Sequence, residues 1–171
     1  MSQLEIRNIT LADAASFRDC LDAVARERKY LAQVEAPPLE KVRQFVADSV
    51  AQDAAQYVAI RDGEVVGWCD IFPHWPYALQ HVGTLGMGLL ADVRGQGLGR
   101  RLLEVTLAHA LQKGIYRVTL ETREDNTRAI RLYESVGFQH EALAPCALRF
   151  DGVFYDGVKM ALLQGPAAHS P

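Results

Sequence analysis

Arg94-Gly95-Gln96-Gly97-Leu98-Gly99 lies between an apolar run over residues 82–93 and a helical pattern over residues 98–113. A glycine-rich turn that opens a helix aims bare backbone N–H groups and the positive end of the helix dipole at one point, a geometry that binds anions. Arg100 and Arg101 follow in the helix's first turn, where cations oppose the macrodipole and acidic residues are favoured instead. An anion seated on the turn would give both arginines a purpose. The plainer reading is a tight turn flanked by solvated arginines, and glycine content alone does not separate the two.

The spacing of apolar residues sets the elements on either side. The run before the turn is interrupted by Gly83, Gly86 and Gly88, and glycine inside a strand marks a bulge or a close approach by a ligand or another backbone. After the turn, Leu98, Leu102 and Val105, with the offset set Leu103, Leu107 and Leu111, give a helix a broad apolar face that Gly114 ends. Residues 116–121 read as a buried strand. Residues 126–136 read as a helix with Ala129, Leu132, Tyr133 and Val136 on one stripe and Gly137 as its C-terminal cap. Residues 138–143 and 153–163 read as the last strands, with Asp151-Gly152 as a turn before the second.

Toward the N-terminus, residues 4–9 alternate as a half-buried strand, and Thr10 with Asp13 signals a cap. Ala14, Phe17, Leu21 and Val24 then carry a first helix. Pro37-Pro38 forces an extended passage before a second helix over residues 39–51, with Val42, Phe45, Val46 and Val50 inward. Strands over residues 56–61 and 64–72 flank the hairpin turn Asp62-Gly63, and the loop over residues 73–80 carries His74, Trp75 and Tyr77. The order β-α-α-β-β-β-α-β-α-β-β predicts a mixed α/β layer fold of the α+β kind, one domain over residues 1–163 with residues 164–171 as a frayed tail.

Composition narrows the function classes. A chain of 171 residues with 49% apolar and 23% charged residues is of ordinary globular make-up. Its net charge of -3 argues against nucleic acid or a membrane surface as partner. Cys20, Cys69 and Cys146 are widely separated, and neither they nor the five histidines show metal-ligand spacing, so no metal is expected. The odd cysteine count and the absence of a secretory signal pattern point to the cytoplasm, with the cysteines as small buried hydrophobes. No apolar run approaches the roughly 20 residues that span a bilayer.

A strand, Arg94-x-x-Gly97-x-Gly99, a helix, a strand ending in Glu121, then Asn126-x-x-Ala129 leading to Leu132-Tyr133-Glu134-x-x-Gly137-Phe138: in this series the chain resembles the GNAT family of N-acetyltransferases. The resemblance covers the whole domain in element order, with its motifs between Val82 and Phe138. It implies a central, mostly antiparallel twisted sheet of six to seven strands, splayed at the fourth and flanked by four helices. It also implies acetyl-coenzyme A as donor, its pyrophosphate on the backbone of Gly95, Gln96, Gly97, Gly99 and Arg100, with Arg94 beginning the motif. The pantetheine arm would pair with strand backbone at Met87, Gly88 and Leu89, which would also polarise the acetyl carbonyl, and Asn126 would contact the same arm. Asn126 also suits a helix N-cap, and both roles are compatible.

By the same resemblance Tyr133 protonates the departing thiolate, although its stripe position equally suits a core aromatic. A phenol with a pKa of roughly 10 needs good positioning to serve a thiol of roughly 8.5. The acceptor amine must be neutral to attack, so a base is required. Glu121 is the first candidate: it ends a strand 12 residues before Tyr133, as does a base in some ribosomal-protein acetyltransferases of the family. It equally suits an ion pair with Arg123 or Arg128. Asp70, His74 and Glu35 are weaker candidates.

The expected reaction is direct attack by a small-molecule amine or amino acid in a ternary complex. A protein N-terminus or lysine is the alternative acceptor. Glu27, Glu35, Glu40 and Asp70 are expected to line a negative cleft for a cationic amine, with Trp75 and Tyr77 as an apolar wall. Two other classes remain: an acyl-coenzyme A sensor without catalysis, and a dinucleotide oxidoreductase. The second meets an obstacle in the GxGxxG fingerprint, whose third glycine position is Arg100. Residues 153–163 are expected to offer an edge strand through which a homodimer could form.

Overall fold

The computed structural model describes residues 4–169. The strands are β1 (Leu4–Asn8), β2 (Ala55–Arg61), β3 (Glu64–Pro73), β4 (Val82–Leu89), β5 (Arg117–Arg123), β6 (Gln139–Phe150) and β7 (Val153–Leu163). The helices are α1 (Ala14–Arg26), α2 (Leu39–Ala51), α3 (Leu98–Gln112) and α4 (Thr127–Ser135), so the element order is the predicted one. The seven strands run in the order β1-β2-β3-β4-β5-β7-β6, antiparallel except that β4 and β5 are parallel. A parallel neighbour needs a crossover, and α3 supplies it.

The chain divides into two compact units: residues up to Ile71 together with Gly86–His109, and Phe72–Leu85 together with residues from Ala110 onward. In the first unit α1 and α2 lay Phe17, Cys20, Val24, Val42 and Val46 onto Val58, Ile60, Val65 and Trp68. Each such side chain contributes about 1.5–3 kcal/mol on burial, and Phe17 meets Trp68 edge to face at 5.7 Å. The predicted cap before α1 is a carboxylate hub. Asp13 accepts the Thr10 N–H and hydroxyl at 2.8 Å each and a two-pronged Arg7 contact at 2.7 and 2.8 Å. The bonds from Arg7 hold its carboxyl below the usual range.

In the second unit β5 pairs with β7 from Arg117↔Leu163 to Arg123↔Gly157, and β7 pairs with β6. Gly137, at φ +105, ends α4, and the Phe138 N–H returns to the Tyr133 carbonyl at 3.0 Å.

Five expectations are revised. Phe45 and Val50 of α2 are 42% and 49% exposed, because the buried stripe runs through Val42, Val46 and Ser49. β6 extends through Pro145 and Cys146 to Phe150, carried by register shifts that a reading by alternation ends at residue 143. β7 lies between β5 and β6, so the C-terminal edge strand is β6. Cys146 is exposed, unlike the buried Cys20 and Cys69. The segment expected to fray is held at its start, where Gln164 bonds to the carbonyls of Tyr116 and Ile115 at 2.9 and 2.8 Å. A 3-10 turn, Gly165–His169, follows; the last two residues of the expected tail lie outside the described residues.

Among the described residues no helix is long and apolar enough to cross a membrane, and no group of three or more His, Cys, Asp or Glu could hold a metal ion.

Candidate functional site

The first unit holds the C-terminal half of β4 and the glycine turn. The parallel register of β4 with β5 covers Val82–Thr84, and among the described residues it extends no further. Beyond that point lie Gly86, Met87, Gly88 and Leu89, all half-buried. The glycines here answer to the protein's own side chains. A methyl group on Gly88 would collide with the six-membered ring of Trp68, and one on Gly86 would lie 2.9 Å from Asp70 Oδ1. Sequence spacing shows that something approaches this strand closely; the structure identifies it as Trp68 and Asp70.

Gly95 and Gly97 both sit at φ +77, a conformation that side chains resist, and the space beside Gly97 is open. α3 begins directly after them, so the unpaired N–H groups of its first turn face the same side as its dipole. Arg94 acts as a brace. Its guanidinium donates to the Leu89 carbonyl at 2.9 and 2.7 Å, grips Glu27 at the C-terminal end of α1 at 3.0 and 2.5 Å, and lies 4.6 Å from the centre of the Tyr30 ring. The Glu27 bonds raise its pKa further above its usual value. Gln96 ties the turn to the Asp92 carbonyl at 2.9 Å. Arg100 is exposed beside Glu104 at 2.8 Å.

The acidic cleft expected from Glu27, Glu35, Glu40 and Asp70 is reduced to one acid. Glu27 holds Arg94, Glu35 faces Arg26 at 3.7 Å, and Glu40 faces Arg43 at 3.7 Å. Asp70 alone among them lines a cleft of about 310 Å³ formed by α1, α2, β3 and the segment before α2, whose walls include Phe17, Leu21, Val42, Phe45 and Trp68. Burial pushes the Asp70 carboxyl up to about 7, against a partial counter-effect from the Gly86 N–H bonded to it. Trp75 and Tyr77 are 89% and 91% exposed and are not part of this wall. The role of Trp68 and the partnerless buried amide of Gln56, opposite Asp70 in the β2–β3 register, were not foreseen. Counting back from the Asp62-Gly63 turn would set Gln56 opposite Cys69; a register shift between Ala59 and Ile60, for which strand alternation carries no signal, brings it opposite Asp70.

Asn126, Glu121 and Tyr133 lie in the second unit. Glu121 is exposed on β5, opposite Lys159 of β7, with Oε1 2.7 Å from where a methyl group on Gly157 would stand. The guanidinium of Arg123 is taken up by Asp125 at 2.9 and 2.5 Å and by the Tyr155 ring at 3.5 Å. Tyr133 is 7% exposed, its ring 5.7 Å from that of Phe138. Asn126 makes no side-chain cap; its amide donates to Thr122 Oγ1 at 3.2 Å. His74 bonds to Thr84 at 3.0 Å. Burial raises the Cys20 thiol to about 12 and lifts Cys69 as well, so neither is a ready nucleophile.

A family model described as "Acetyltransferase (GNAT) family" matches residues 19–138. A mycothiol acetyltransferase of Geodermatophilus obscurus is 37% identical over 95 residues, which cover 53% of this chain and 31% of that one. The chain thus spans about a third of the length of the curated relatives it matches. Among solved structures, a GNAT-family acetyltransferase of Streptococcus pneumoniae has a TM-score of 0.88 at 24% identity, covering 95% of this chain and 100% of that one. A phosphinothricin acetyltransferase of Sinorhizobium meliloti, solved with acetyl-coenzyme A, has a TM-score of 0.89 at 16% identity, covering 98% and 92%. These likenesses establish the shared fold.

Proposed function

The chain belongs to the acetyltransferase (GNAT) family, and from that premise we propose that it moves an acetyl group from acetyl-coenzyme A to a primary amine of a small molecule by direct attack in a ternary complex. The observation that carries this reading is that the open glycine turn and the stretch Met87–Leu89, which lies beyond the β4–β5 register, share one compact unit with the Asp70 cleft. Family membership also removes the dinucleotide oxidoreductase as a reading.

Two turn residues in a left-handed conformation, with open space beside Gly97, at the start of a 15-residue helix, fit the pyrophosphate. Gly95, Gln96, Gly97, Gly99 and Arg100 would hold it, and Arg94 would keep the turn in place by bracing Leu89 and Glu27. Met87, Gly88 and Leu89 would hold the pantetheine arm by their backbone and polarise the acetyl carbonyl, with Asn126 contacting the same arm. Bound acetyl-coenzyme A supplies a thioester carbonyl and a thiolate leaving group. Glu121 accepts the proton that the attacking ammonium must lose, and Tyr133 donates one to the thiolate. The buried, high-pKa thiols of Cys20 and Cys69 support direct attack over an acyl-cysteine route.

The test is thiol release over amino acids, monoamines, polyamines, aminoglycosides and short peptides, followed by variants on the best substrate. Tyr133→Phe and Glu121→Gln should each lower kcat/KM by about 10²-fold or more, the range of a lost general acid or base. Unchanged kcat/KM in both would remove their assigned roles and leave the family standing. Turnover confined to peptides would transfer the acceptor to a protein N-terminus or lysine.

A further inference from the structure

Taking the acetyl-transfer reading for what then happens to the amine, we infer that the cleft formed by α1, α2 and β3 is the acceptor site for a monoamine carried on an apolar, aryl or branched-alkyl body, its ammonium seated on Asp70. The walls contributed by Phe17, Leu21, Val42, Phe45 and Trp68 are apolar, and Asp70 is the one acid in the lining. The other charged group there is Lys41, on the exposed side of α2. Among the described residues Asp70 forms no ion pair, and its bonded neighbour is the Gly86 N–H.

Gln56 faces Asp70 directly across the β2–β3 register, so both side chains project from the same side of the sheet. Gln56 is 1% exposed, and neither its amide oxygen nor its amide nitrogen has a partner among the described residues. A desolvated carboxylate without a cation and a buried amide without a partner are both unfavourable. An ammonium carries three donors and no acceptor, so it supplies the cation that Asp70 lacks and a donor for the Gln56 amide oxygen, while the Gln56 amide nitrogen still needs an acceptor. The apolar walls then decide what the ammonium is attached to. A sugar or a polyamine would bring hydroxyls or further charges against Phe17, Phe45 and Trp68 with a single acid to meet them, whereas an aryl or branched-alkyl body replaces water there favourably. A volume of about 310 Å³ admits a body of phenethylamine size. The Gly86 N–H that holds Asp70 belongs to the residue before Met87, so the seated nitrogen lies next to the segment assigned to the thioester.

Trp68 makes the cleft its own reporter once the exposed Trp75 is replaced. In a Trp75→Phe background of the full chain without donor, 2-phenylethylamine should change the tryptophan emission saturably, with spermidine giving no such change. Neutral 2-phenylethanol should bind at least 10-fold more weakly. Asp70→Asn should weaken the amine at least 10-fold and leave the alcohol as before, and Phe45→Ala should weaken both severalfold. Catalysed turnover of phenethylamine by Asp70→Asn should show the loss mainly in KM. No saturable change with the amine, equal binding of amine and alcohol, or an amine affinity indifferent to Asp70→Asn would overturn the inference. Stabilisation by acetyl-coenzyme A, read separately by melting, isolates the donor reading: its absence alongside specific amine binding sinks that reading and spares the cleft, and the reverse outcome sinks the cleft alone.

Discussion

At Asp70 the protein holds a carboxyl that folding makes harder to ionise. Its usual value of 3.8 rises to about 7 because burial strips water from the charged form. Below pH 4 both folded and unfolded chains carry the proton, and the group contributes no pH-dependence. Between pH 4 and 7 the unfolded chain ionises while the folded chain does not, so the stability present at low pH is lost as pH rises through 7. Three pKa units set a ceiling of about 4 kcal/mol, and partial solvent access reduces it to about 1–3 kcal/mol. Asp70→Asn should therefore match the parent chain near pH 3–4 and exceed its stability by about 1–3 kcal/mol at pH 8, measured by urea unfolding across that range. Equal stability of the two proteins at pH 8 would mean that Asp70 is well solvated or already paired. A residue that lowers stability at working pH while lining a cleft fits a group kept for a ligand.

At the scale of elements, β4 separates what the sequence makes legible from what it does not. The three glycines stand in the sequence, as does the glycine turn that follows, and local spacing alone gives α2 its observed bounds of Leu39–Ala51. What fills the space over Gly88 comes from Trp68, on the neighbouring strand, and becomes visible only with strand order. The same limit accounts for Phe45 and β7. A 3.6-residue period marks Phe45 as apolar-face, yet the partners of that face are exhausted by Val42, Val46 and Ser49, and Phe45 is left to wall the cleft. Residues 153–163 come last in the chain but insert between β5 and β6, a placement that alternation carries no information about. Tyr133 was legible as a stripe residue, whereas Glu121, read as the strand end, stands inside β5, which runs on to Arg123, and the missing side chain of Gly157, which leaves room for the Glu121 carboxylate beside Ala147, was not legible. The β4 packing is testable by itself. Gly88→Ala should destabilise by about 1–3 kcal/mol, the usual effect of overpacking, because Trp68 is 3% exposed and wedged by Phe17. Adding Trp68→Phe should return part of that loss, since a smaller ring vacates the space. A double variant no more stable than the sum of its single changes would break the proposed contact.

For the whole molecule the question is whether a polyanionic donor is compatible with a chain of net charge -3. Exposed charges more than about 8–10 Å apart are largely screened at physiological salt, so the overall sign matters less than what lies at the turn. There the donors are backbone N–H groups at a helix start, with Arg100 and Arg101 beside them. Binding to the folded chain alone raises its stability as the ligand exceeds its dissociation constant, by about 2.7 kcal/mol at a hundredfold excess. For a chain of this length that corresponds to a rise in Tm of about 5–10 °C. Acetyl-coenzyme A should produce a shift of that size, diminishing in high salt as the electrostatic share is screened. NADH shares the adenosine and a pyrophosphate but has no pantetheine arm to lay along Met87–Leu89, so it should shift the melting far less. An NADH shift equal to that of acetyl-coenzyme A would reduce the glycine turn to a general pyrophosphate site and detach the β4 segment from donor recognition. A large shift from acetyl-coenzyme A alone would tie the turn and the strand to one ligand.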